Sequence, residues 1–381
     1  MAQSRGATGS PGPPERGGES RGATGSPGPP ERGGESRGAT GSPGPPERGG
    51  VWGAMSGPPI LIGVDVGGTT IAAGGVTAEG DVLHDDSMLT HDAATAGTLV
   101  SIERLVAGVS AALAARGLTV AGIGVGAPGP VDVETGRVGD PAPHAADLVG
   151  QPIAARLGAR FGVPVFVDND VNALTLAEWR FGTGRGARSL VVLAPGTGFG
   201  AGVILDGRLV RGVAGFGGEF GHTPVKFDGP PCWCGGRGCL AVYASGRGIA
   251  EAVRARVAGH AESPLLAAAG GAADRITAEL VFRAAADGDP VATTVVDEAC
   301  RALGAMLATI VNGLNPEVVV VTGGVAASLA ALEKRILAAT AEHAFARALA
   351  ATRITIVPGD KRLTMRGAAA LVLYERERRA G

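Results

Sequence analysis

The sequence predicts an α/β fold, and two observations carry the prediction. Short apolar runs rich in β-branched residues, such as Ile60 to Val66 and Val120 to Val125, alternate with segments of helical periodicity. Glycine and polar residues recur where these runs end, and open α/β sheets place their ligands at the carboxyl ends of strands. The sequence therefore predicts sheets flanked by helices, with a ligand site at a sheet edge.

The expected elements follow from the same two patterns. Buried runs with β-branched residues predict strands over 60–66, 71–76, 120–125, 165–167, 190–193, 202–205, 317–321 and 354–357. Apolar residues three or four positions apart predict helices over 95–116, 153–160, 171–181, 246–257, 278–286, 291–314, 326–343 and from Thr364 onward.

The composition argues against several classes of protein. The 381 residues carry a formal net charge of −2 without long runs of Lys or Arg, so we expect no nucleic-acid partner. Apolar stretches stay below the length of about 18 residues that spans a membrane. The first residues lack the apolar core of a signal peptide, so we predict a cytoplasmic protein. Four cysteines do not make a disulfide scaffold in a chain this long.

The first 57 residues contain a repeat. The 16-residue segment Ser4–Glu19 recurs from Ser20 to Glu35 and again from Ser36 to Gly50. Its apolar residues are only alanine and proline, which cannot offset the entropy of ordering the backbone. We therefore predict a disordered Gly/Pro-rich tail over 1–57. One interpretation is that the repeat is a linker or an interaction arm. We favour the interpretation that it is a duplication in the coding DNA that is not translated, and Met55 would then be a natural start of translation.

Three glycine turns, each after a predicted buried strand, are candidates for binding phosphate. They are Gly67-Gly68-Thr69, which follows Asp65, then Gly196-Thr197-Gly198, and Thr322-Gly323-Gly324. Adjacent glycines let the backbone approach a bulky anion, and their N–H groups can face its oxygens. A carboxylate such as Asp65 can hold Mg²⁺ directly or through water. The third turn also opens a predicted helix, whose N-terminus favours an anion. For the first turn taken alone, an ordinary hairpin turn is the alternative.

Polar side chains are massed at Asp168-Asn169-Asp170, where the strand over 165–167 ends. A carboxylate there could accept the proton of an attacking hydroxyl, and an asparagine could hold neighbouring hydroxyls. The alternative is an N-cap for the following helix, which Asp and Asn both favour. Capping does not require three such residues, so we expect chemistry from at least one of them.

The pattern H-x9-C-x-C-x4-C predicts a zinc site. Its residues are His222, Cys232, Cys234 and Cys239. One imidazole and three thiolates satisfy a closed tetrahedral site, which is typical of structural zinc. Three reduced cysteines in a loop are the alternative. Cys300 lies in an apolar helical pattern and is expected in the core.

Taken together, the motifs resemble the ROK family of sugar kinases, close to bacterial glucokinases of the actinobacterial type, over about 60–373. The segments that carry the resemblance are DVGGT at 65–69, GVGAPGPVD at 124–132, DNDVNA at 168–173, GTGFGAGVILDGRLVRG at 196–212, GGEFGH at 217–222, CWCGGRGC at 232–239 and LNPEVVVVTGG at 314–324.

The resemblance implies an ATP-dependent hexose kinase of carbohydrate metabolism, with glucose as the expected substrate. By residue, it implies Asp170 as the catalytic base and Asn169, Glu219 and His222 as sugar ligands. Asp65, Gly68, Thr69, Thr197 and Gly198 would surround the phosphates and Mg²⁺ of ATP. Gly67, Gly196, Gly323 and Gly324 would complete the ATP site, the last two in the family's adenosine-side motif. His222 would also be a zinc ligand. Another hexose or an N-acetylhexosamine is the alternative substrate, and a non-catalytic ROK-type sugar sensor or regulator is the alternative function.

The resemblance also implies a two-domain, actin-like (ribonuclease H-like) fold with a hinged cleft, and a homodimer or homotetramer. The smaller domain would cover 58–172, with the helix at about 364–381 returning to it. The larger domain would cover 173–363 and carry the zinc knuckle.

Three positions depart from the family's pattern. Thr70 stands where a lysine is common in the first phosphate motif, and His144 stands where a sugar-side asparagine is common. Ala241 replaces a glutamate that in the family contacts the sugar hydroxyls near C1 and C2. We therefore expect phosphoryl transfer to be retained and sugar selectivity to be relaxed.

Overall fold

The structure of the protein is a computed structural model that describes residues 59–142, 145–258, 263–360 and 362–380. The predicted tail over 1–57, with Met55, lies outside the described residues, and so does His144.

Twelve strands are found among the described residues. In chain order they are β1 Ile60–Val66, β2 Thr70–Val76, β3 Val82–Leu89, β4 Val120–Ala127, β5 Val131–Asp132, β6 Arg137–Val138, β7 Val165–Asn169, β8 Leu190–Pro195, β9 Phe199–Leu205, β10 Arg208–Leu209, β11 Val318–Val321 and β12 Arg353–Ile356.

The same ranges contain thirteen α-helices. They are α1 Thr90–Ala96, α2 Thr98–Ala114, α3 Ile153–Phe161, α4 Asp170–Phe181, α5 Leu240–Ala244, α6 Gly246–Val257, α7 Pro264–Ala268, α8 Ala278–Ala286, α9 Pro290–Leu314, α10 Ala326–Ala330, α11 Glu333–Ala341, α12 Ala346–Ala351 and α13 Leu363–Ala380.

The strands form two five-stranded sheets with the same pattern. The first has the order β3-β2-β1-β4-β7, and the second has the order β10-β9-β8-β11-β12. In each sheet the first three strands are antiparallel neighbours, and the remaining neighbours are parallel. The central parallel strands are buried on both faces, which explains all-apolar runs such as Val318–Val321. The α/β class predicted from the sequence is confirmed.

The helix α13 packs between the two sheets. It contacts α4, β1 and β4, and its residues share an apolar cluster with strands of both sheets. A Cβ on Gly63 or Gly124 would overlap a backbone carbonyl of α13, so this close packing depends on glycine in β1 and β4. The domain bounds at 58–172 and 173–363 stay a prediction.

Some element predictions were wrong in detail, and among the described residues the short elements β5, β6, β10, α5, α7 and α12 were not expected. The helix expected over 95–116 is two helices, because Gly97 between them adopts a φ of 88° that a right-handed helix cannot contain. The helix expected over 326–343 is also divided, into α10 and α11. The strand β3 was missed, since its sequence VLHDDSML is mostly exposed at the sheet edge and lacks a buried apolar run.

Within the described ranges, no helix combines the length and the apolar character that crossing a membrane requires. The cytoplasmic location stays a prediction.

Candidate functional site

The first sheet brings the predicted polar residues to one edge. The parallel register pairs Asp65 at the end of β1 with Gly126 in β4, and Gly126 with Asp168 in β7. The three positions therefore form one row across the carboxyl ends of the strands. Asn169 ends β7, and Asp170 begins α4 directly after it. The sequence prediction of a site at this edge is consistent with the register.

The three polar residues at the end of β7 and the start of α4 have different roles. Asp168 is buried and its carboxylate bonds Arg211, the side chain of Asn172 and the backbone N–H of Asn169. Asn169 caps α4, because its side-chain oxygen accepts from the N–H groups of residues 171 and 172. Its amide also donates to the carbonyl oxygen of Gly129 at 3.1 Å. The capping alternative thus applies to Asn169, and Asp170 remains as the carboxylate available for proton transfer.

Asp65 and Asp170 are half-buried carboxylates with raised pKa values. Burial raises the pKa of Asp65 to about 7, and the charge of Asp170 adds to the shift. Burial also raises the pKa of Asp170 to about 6, and the charge of Glu219 contributes in the same direction. Each carboxylate disfavours ionisation of the other, so a cation bound between them would be stabilised. A carboxylate with a pKa raised toward neutral pH is also suited to act as a general base.

The second and third glycine turns lie side by side. They follow β8 and β11, which are parallel neighbours in the second sheet. The N–H of Val325, just after the third turn, donates to the carbonyl oxygen of Pro195 at 2.9 Å. Gly198 and Gly324 are exposed, so their backbone N–H groups can reach a ligand. The helix that follows the third turn, α10, has only five residues instead of the length expected over 326–343, and anion binding at its N-terminus stays a prediction.

The second glycine turn is also adjacent to the start of α4. The strand β9 leaves this turn at Phe199, and a Cβ on Gly200 would overlap Cγ2 of Val171. Val171 follows Asp170 directly. The packing of β9 against α4 therefore places the turn Gly196–Gly198 beside the candidate base.

Glu219 approaches Asp170 from the second sheet. It precedes a short 3-10 helix, Phe220–His222, that contacts β9 and α5. The N–H of His222 donates to the carbonyl oxygen of Glu219 at 3.0 Å, and the charges of Glu219 and Asp170 interact. Asn169 ends β7 of the first sheet, and Glu219 follows β10 of the second sheet and is close enough to Asp170 for their charges to interact.

The four predicted zinc ligands converge. Donor atoms of His222, Cys232, Cys234 and Cys239 all lie within 4.8 Å of one another. The Sγ atoms of Cys234 and Cys239 are 3.8 Å apart, and Nδ1 of His222 is 3.5 Å from Sγ of Cys232. A tetrahedral zinc with ordinary bond lengths would place sulfur atoms about 3.8 Å apart, and nitrogen about 3.6 Å from sulfur. The donor set and its spacing therefore fit zinc, and Cys300 is buried as expected.

The sequence interpretation missed Arg211 and did not anticipate the position of Ala241. Arg211 bonds Asp168, and the only signal for it was an arginine in a glycine-rich stretch after a strand. Ala241 lies in α5 with no exposed surface, inside the apolar cluster of the second sheet. Cys239, a predicted zinc ligand, immediately precedes this helix.

Comparison with known proteins shows which family and which characterised proteins the chain is similar to. Residues 61–375 match the sequence model of the ROK family. The glucokinase of Streptomyces coelicolor is 38% identical over 268 residues, which are 70% of this chain and 82% of that protein.

Solved structures have the same fold. The crystal structure of a ROK family glucokinase from Streptomyces griseus in complex with glucose and AMPPNP is 33% identical, with a TM-score of 0.63 over 82% of this chain and 98% of that chain. A ROK family transcriptional regulator, a homologue of the E. coli MLC protein, is 30% identical, with a TM-score of 0.70 over 84% of this chain and 78% of that chain. The two-domain, actin-like fold expected from the sequence is confirmed.

Proposed function

Since the chain belongs to the ROK family, we propose that it is an ATP-dependent hexose kinase that converts glucose to glucose 6-phosphate. The observation that carries the proposal is the close packing of Val171, which follows Asp170, against Gly200, which lies two residues after the glycine turn Gly196–Gly198. A base and a phosphate-binding turn side by side are the two parts that phosphoryl transfer to a hydroxyl needs.

Asp170 would accept the proton of the attacking sugar hydroxyl. Its raised pKa of about 6 brings its basicity closer to that of the reacting group, while the carboxylate is still ionised at neutral pH. The N-terminal position on α4 fixes it rigidly, because Asn169 caps that helix.

The phosphates of ATP would lie between the first and second glycine turns. Exposed backbone N–H groups at Gly68, Gly198 and Gly324 supply donors without requiring a lysine, which matches the threonine at position 70. Mg²⁺ bound with ATP supplies positive charge that neutralises the transferring phosphoryl group. Asp65 would hold that ion, directly or through water, since it is the carboxylate at the end of β1.

The sugar would be held by Asn169 from the first sheet and by Glu219 and His222 from the second. The side-chain amide of Asn169 lies between the carbonyl oxygen of Gly129 and the carboxylate of Asp170, so it is placed to contact a sugar hydroxyl next to the base. Zinc bound by His222 and the three cysteines would fix the 3-10 helix after Glu219, and so the orientation of these sugar ligands.

The test is a coupled kinase assay with Mg²⁺-ATP against glucose, mannose, galactose, fructose, N-acetylglucosamine and N-acetylmannosamine. We expect the highest kcat/KM with glucose and a product identified as the 6-phosphate by 31P NMR. Asp170→Asn is the matched variant: it keeps the shape of the side chain, and turnover should fall at least about 10²-fold while ATP binding is retained. A different best substrate would contradict the sugar assignment only, and near-normal turnover of the variant would contradict the base.

A sugar-responsive regulator is the second candidate function. It is supported by the likeness to the ROK transcriptional regulator and by Ala241, which removes a carboxylate expected at the sugar. The same assay separates the two functions, because a regulator would bind a hexose in isothermal titration calorimetry without turning it over.

A further inference from the structure

A buried ion network joins Arg211 to two carboxylates. Its Nε donates to Oδ2 of Asp168 at 2.7 Å, and its Nη2 donates to Oε1 of Glu375 at 2.6 Å. The three side chains are 15%, 2% and 3% exposed. The planar guanidinium is the one side chain that can donate to two carboxylates in fixed directions.

The network connects three parts of the fold. Arg211 follows β10 in the second sheet, Asp168 belongs to β7 in the first sheet, and Glu375 belongs to α13 between them. The guanidinium also lies 5.4 Å above the ring of Tyr374, whose hydroxyl accepts from the N–H of Leu209 at 2.9 Å. Two neighbouring residues of α13, Tyr374 and Glu375, therefore hold the guanidinium of Arg211.

On the first sheet, the network orients the segment that contains the candidate base. Oδ1 of Asp168 accepts from the N–H of Asn169 and from the side-chain amide of Asn172, both at 2.8 Å. Oδ2 is held by Arg211. The direction of this carboxylate thus determines the position of the turn in which Asn169 and Asp170 lie.

On the second sheet, the backbone of the same residue closes the loop that leads to Glu219. The carbonyl oxygen of Arg211 accepts from the N–H of Gly217 at 2.8 Å. Gly217 is packed so tightly there that a Cβ would lie 2.6 Å from the carbonyl carbon of Arg211. This hydrogen bond closes the loop between Arg211 and Gly217, and Gly217 lies two residues before Glu219.

We propose that Arg211 is a positioning residue that sets the distance between the two halves of the hexose site. Its side chain holds Asn169 and Asp170 through Asp168, and its backbone holds Glu219. The inference rests on the proposed function of this site. Because misplacement of reacting groups by about 1 Å can cost about 10²-fold in rate, the loss of this bridge should affect hexose turnover far more than ATP binding.

The test compares Arg211→Met with Arg378→Met in the full chain. Nε of Arg378 donates to Oε2 of Glu375 at 2.9 Å, so both variants remove a cation from the same carboxylate, but only Arg211 reaches Asp168. We expect Arg211→Met to lower kcat/KM for glucose about 10–100-fold, with the KM for ATP changed less than about threefold. For Arg378→Met, kcat/KM for glucose and the KM for ATP should both stay within about threefold of the values for the unsubstituted protein.

Arg211→Lys serves if the methionine variant fails to fold. It keeps a positive charge, but one ammonium group cannot donate in two fixed directions, so it should show the same selective loss. Asp168→Asn should show it too, and the double variant with Arg211→Met should lose little more than either single one.

Unchanged glucose kinetics in a folded Arg211 variant would overturn the inference. The inference would also be overturned if Arg211→Met impaired kcat/KM for glucose and the KM for ATP by the same factor, or if Arg378→Met lowered kcat/KM for glucose as much as Arg211→Met. Either result indicates a purely structural role. If the unsubstituted protein binds glucose without turning it over, the kinase proposal fails, and the dissociation constant for glucose then tests Arg211 with the same expected fold-change. If it binds no hexose, both proposals fail.

Discussion

Gly200 in β9 and Val171 in α4 are packed so closely that a side chain on the glycine would overlap Cγ2 of the valine. One residue before Val171 is the candidate base, and two residues before Gly200 is the end of the second glycine turn. The distance between Asp170 and the second glycine turn therefore depends on the absence of a side chain at Gly200.

The first prediction is that Gly200→Ala separates the turn from Asp170. The added Cβ must push β9 away from α4, because Val171 is β-branched and has few other rotamers in a helix. We expect kcat to fall about 10–100-fold, together with a lower melting temperature. Gly313→Ala is the control: Gly313 lies in α9 with open space around it, and alanine there should be neutral or stabilising. Unchanged kcat in Gly200→Ala would show that this contact does not set the geometry.

Local patterns predicted most of the site because its parts are short segments. Asp65, the polar residues after β7 and the zinc ligands each lie within or beside one strand end or loop, where residue type and spacing carry the signal. The helices over 246–257 and 278–286 have the bounds that the sequence predicts, and the side chains of Ser245 and Thr277 cap their N-termini.

Features that depend on distant residues could not be predicted in this way. Arg211 is 43 residues from Asp168 and 164 residues from Glu375, and no local pattern connects them. The strand β3 is defined by pairing with β2, and its own residues are those of an exposed loop. Likewise, the burial of Ala241 follows from packing of α5 against α9, and α5 was not expected at all.

The second prediction concerns the pH dependence of the reaction. Burial, and to a smaller extent the charge of Glu219, raises the pKa of Asp170 to about 6. A base acts only when ionised, so kcat/KM for glucose at saturating Mg²⁺-ATP should be lost as the pH falls through about 6. Glu219→Gln removes a negative charge that disfavours ionisation of Asp170, so the acid limb should move to lower pH.

Glu298→Gln is the control for the pH experiment. Glu298 of α9 pairs with Arg256 of α6, away from Asp170, so its removal should leave the acid limb in place. An acid limb that does not respond to Glu219→Gln would assign the titration to another group.

The third prediction is that Cys234→Ser loses zinc and hexose binding together. Four protein ligands close the site, so the ion has no open position for a substrate and acts by fixing the residues around His222. Zinc content by elemental analysis and glucose affinity by calorimetry should both fall. Cys300→Ser, at a buried position outside this cluster, should retain both. Native protein without zinc, or a zinc-free variant with normal glucose affinity, would contradict the prediction.

The last prediction concerns Ala241, whose side chain is fully buried in an apolar cluster. A glutamate there would bury a carboxylate, which is unfavourable by several kcal/mol unless it finds partners. If the hexose lies against α5, its hydroxyls supply those partners through charge-assisted hydrogen bonds worth about 1.5–3 kcal/mol each. Ala241→Glu should then be less stable than the unsubstituted protein without sugar, bind glucose about 10–100-fold more tightly, and recover stability when glucose is added.

Ala244→Glu is the control for the cost of burying a carboxylate in α5. Ala244 lies in the same helix, is equally buried and belongs to the same cluster, so a carboxylate there meets the same cost without a role expected at the sugar. Thermal unfolding of both variants with and without glucose should therefore show a larger glucose-dependent rise in melting temperature for Ala241→Glu than for Ala244→Glu, because the tighter binder gains more stability at the same glucose concentration. Equal rises would mean that the carboxylate at position 241 does not contact the hexose, and that the relaxed selectivity expected from the missing carboxylate has no basis in this part of the site.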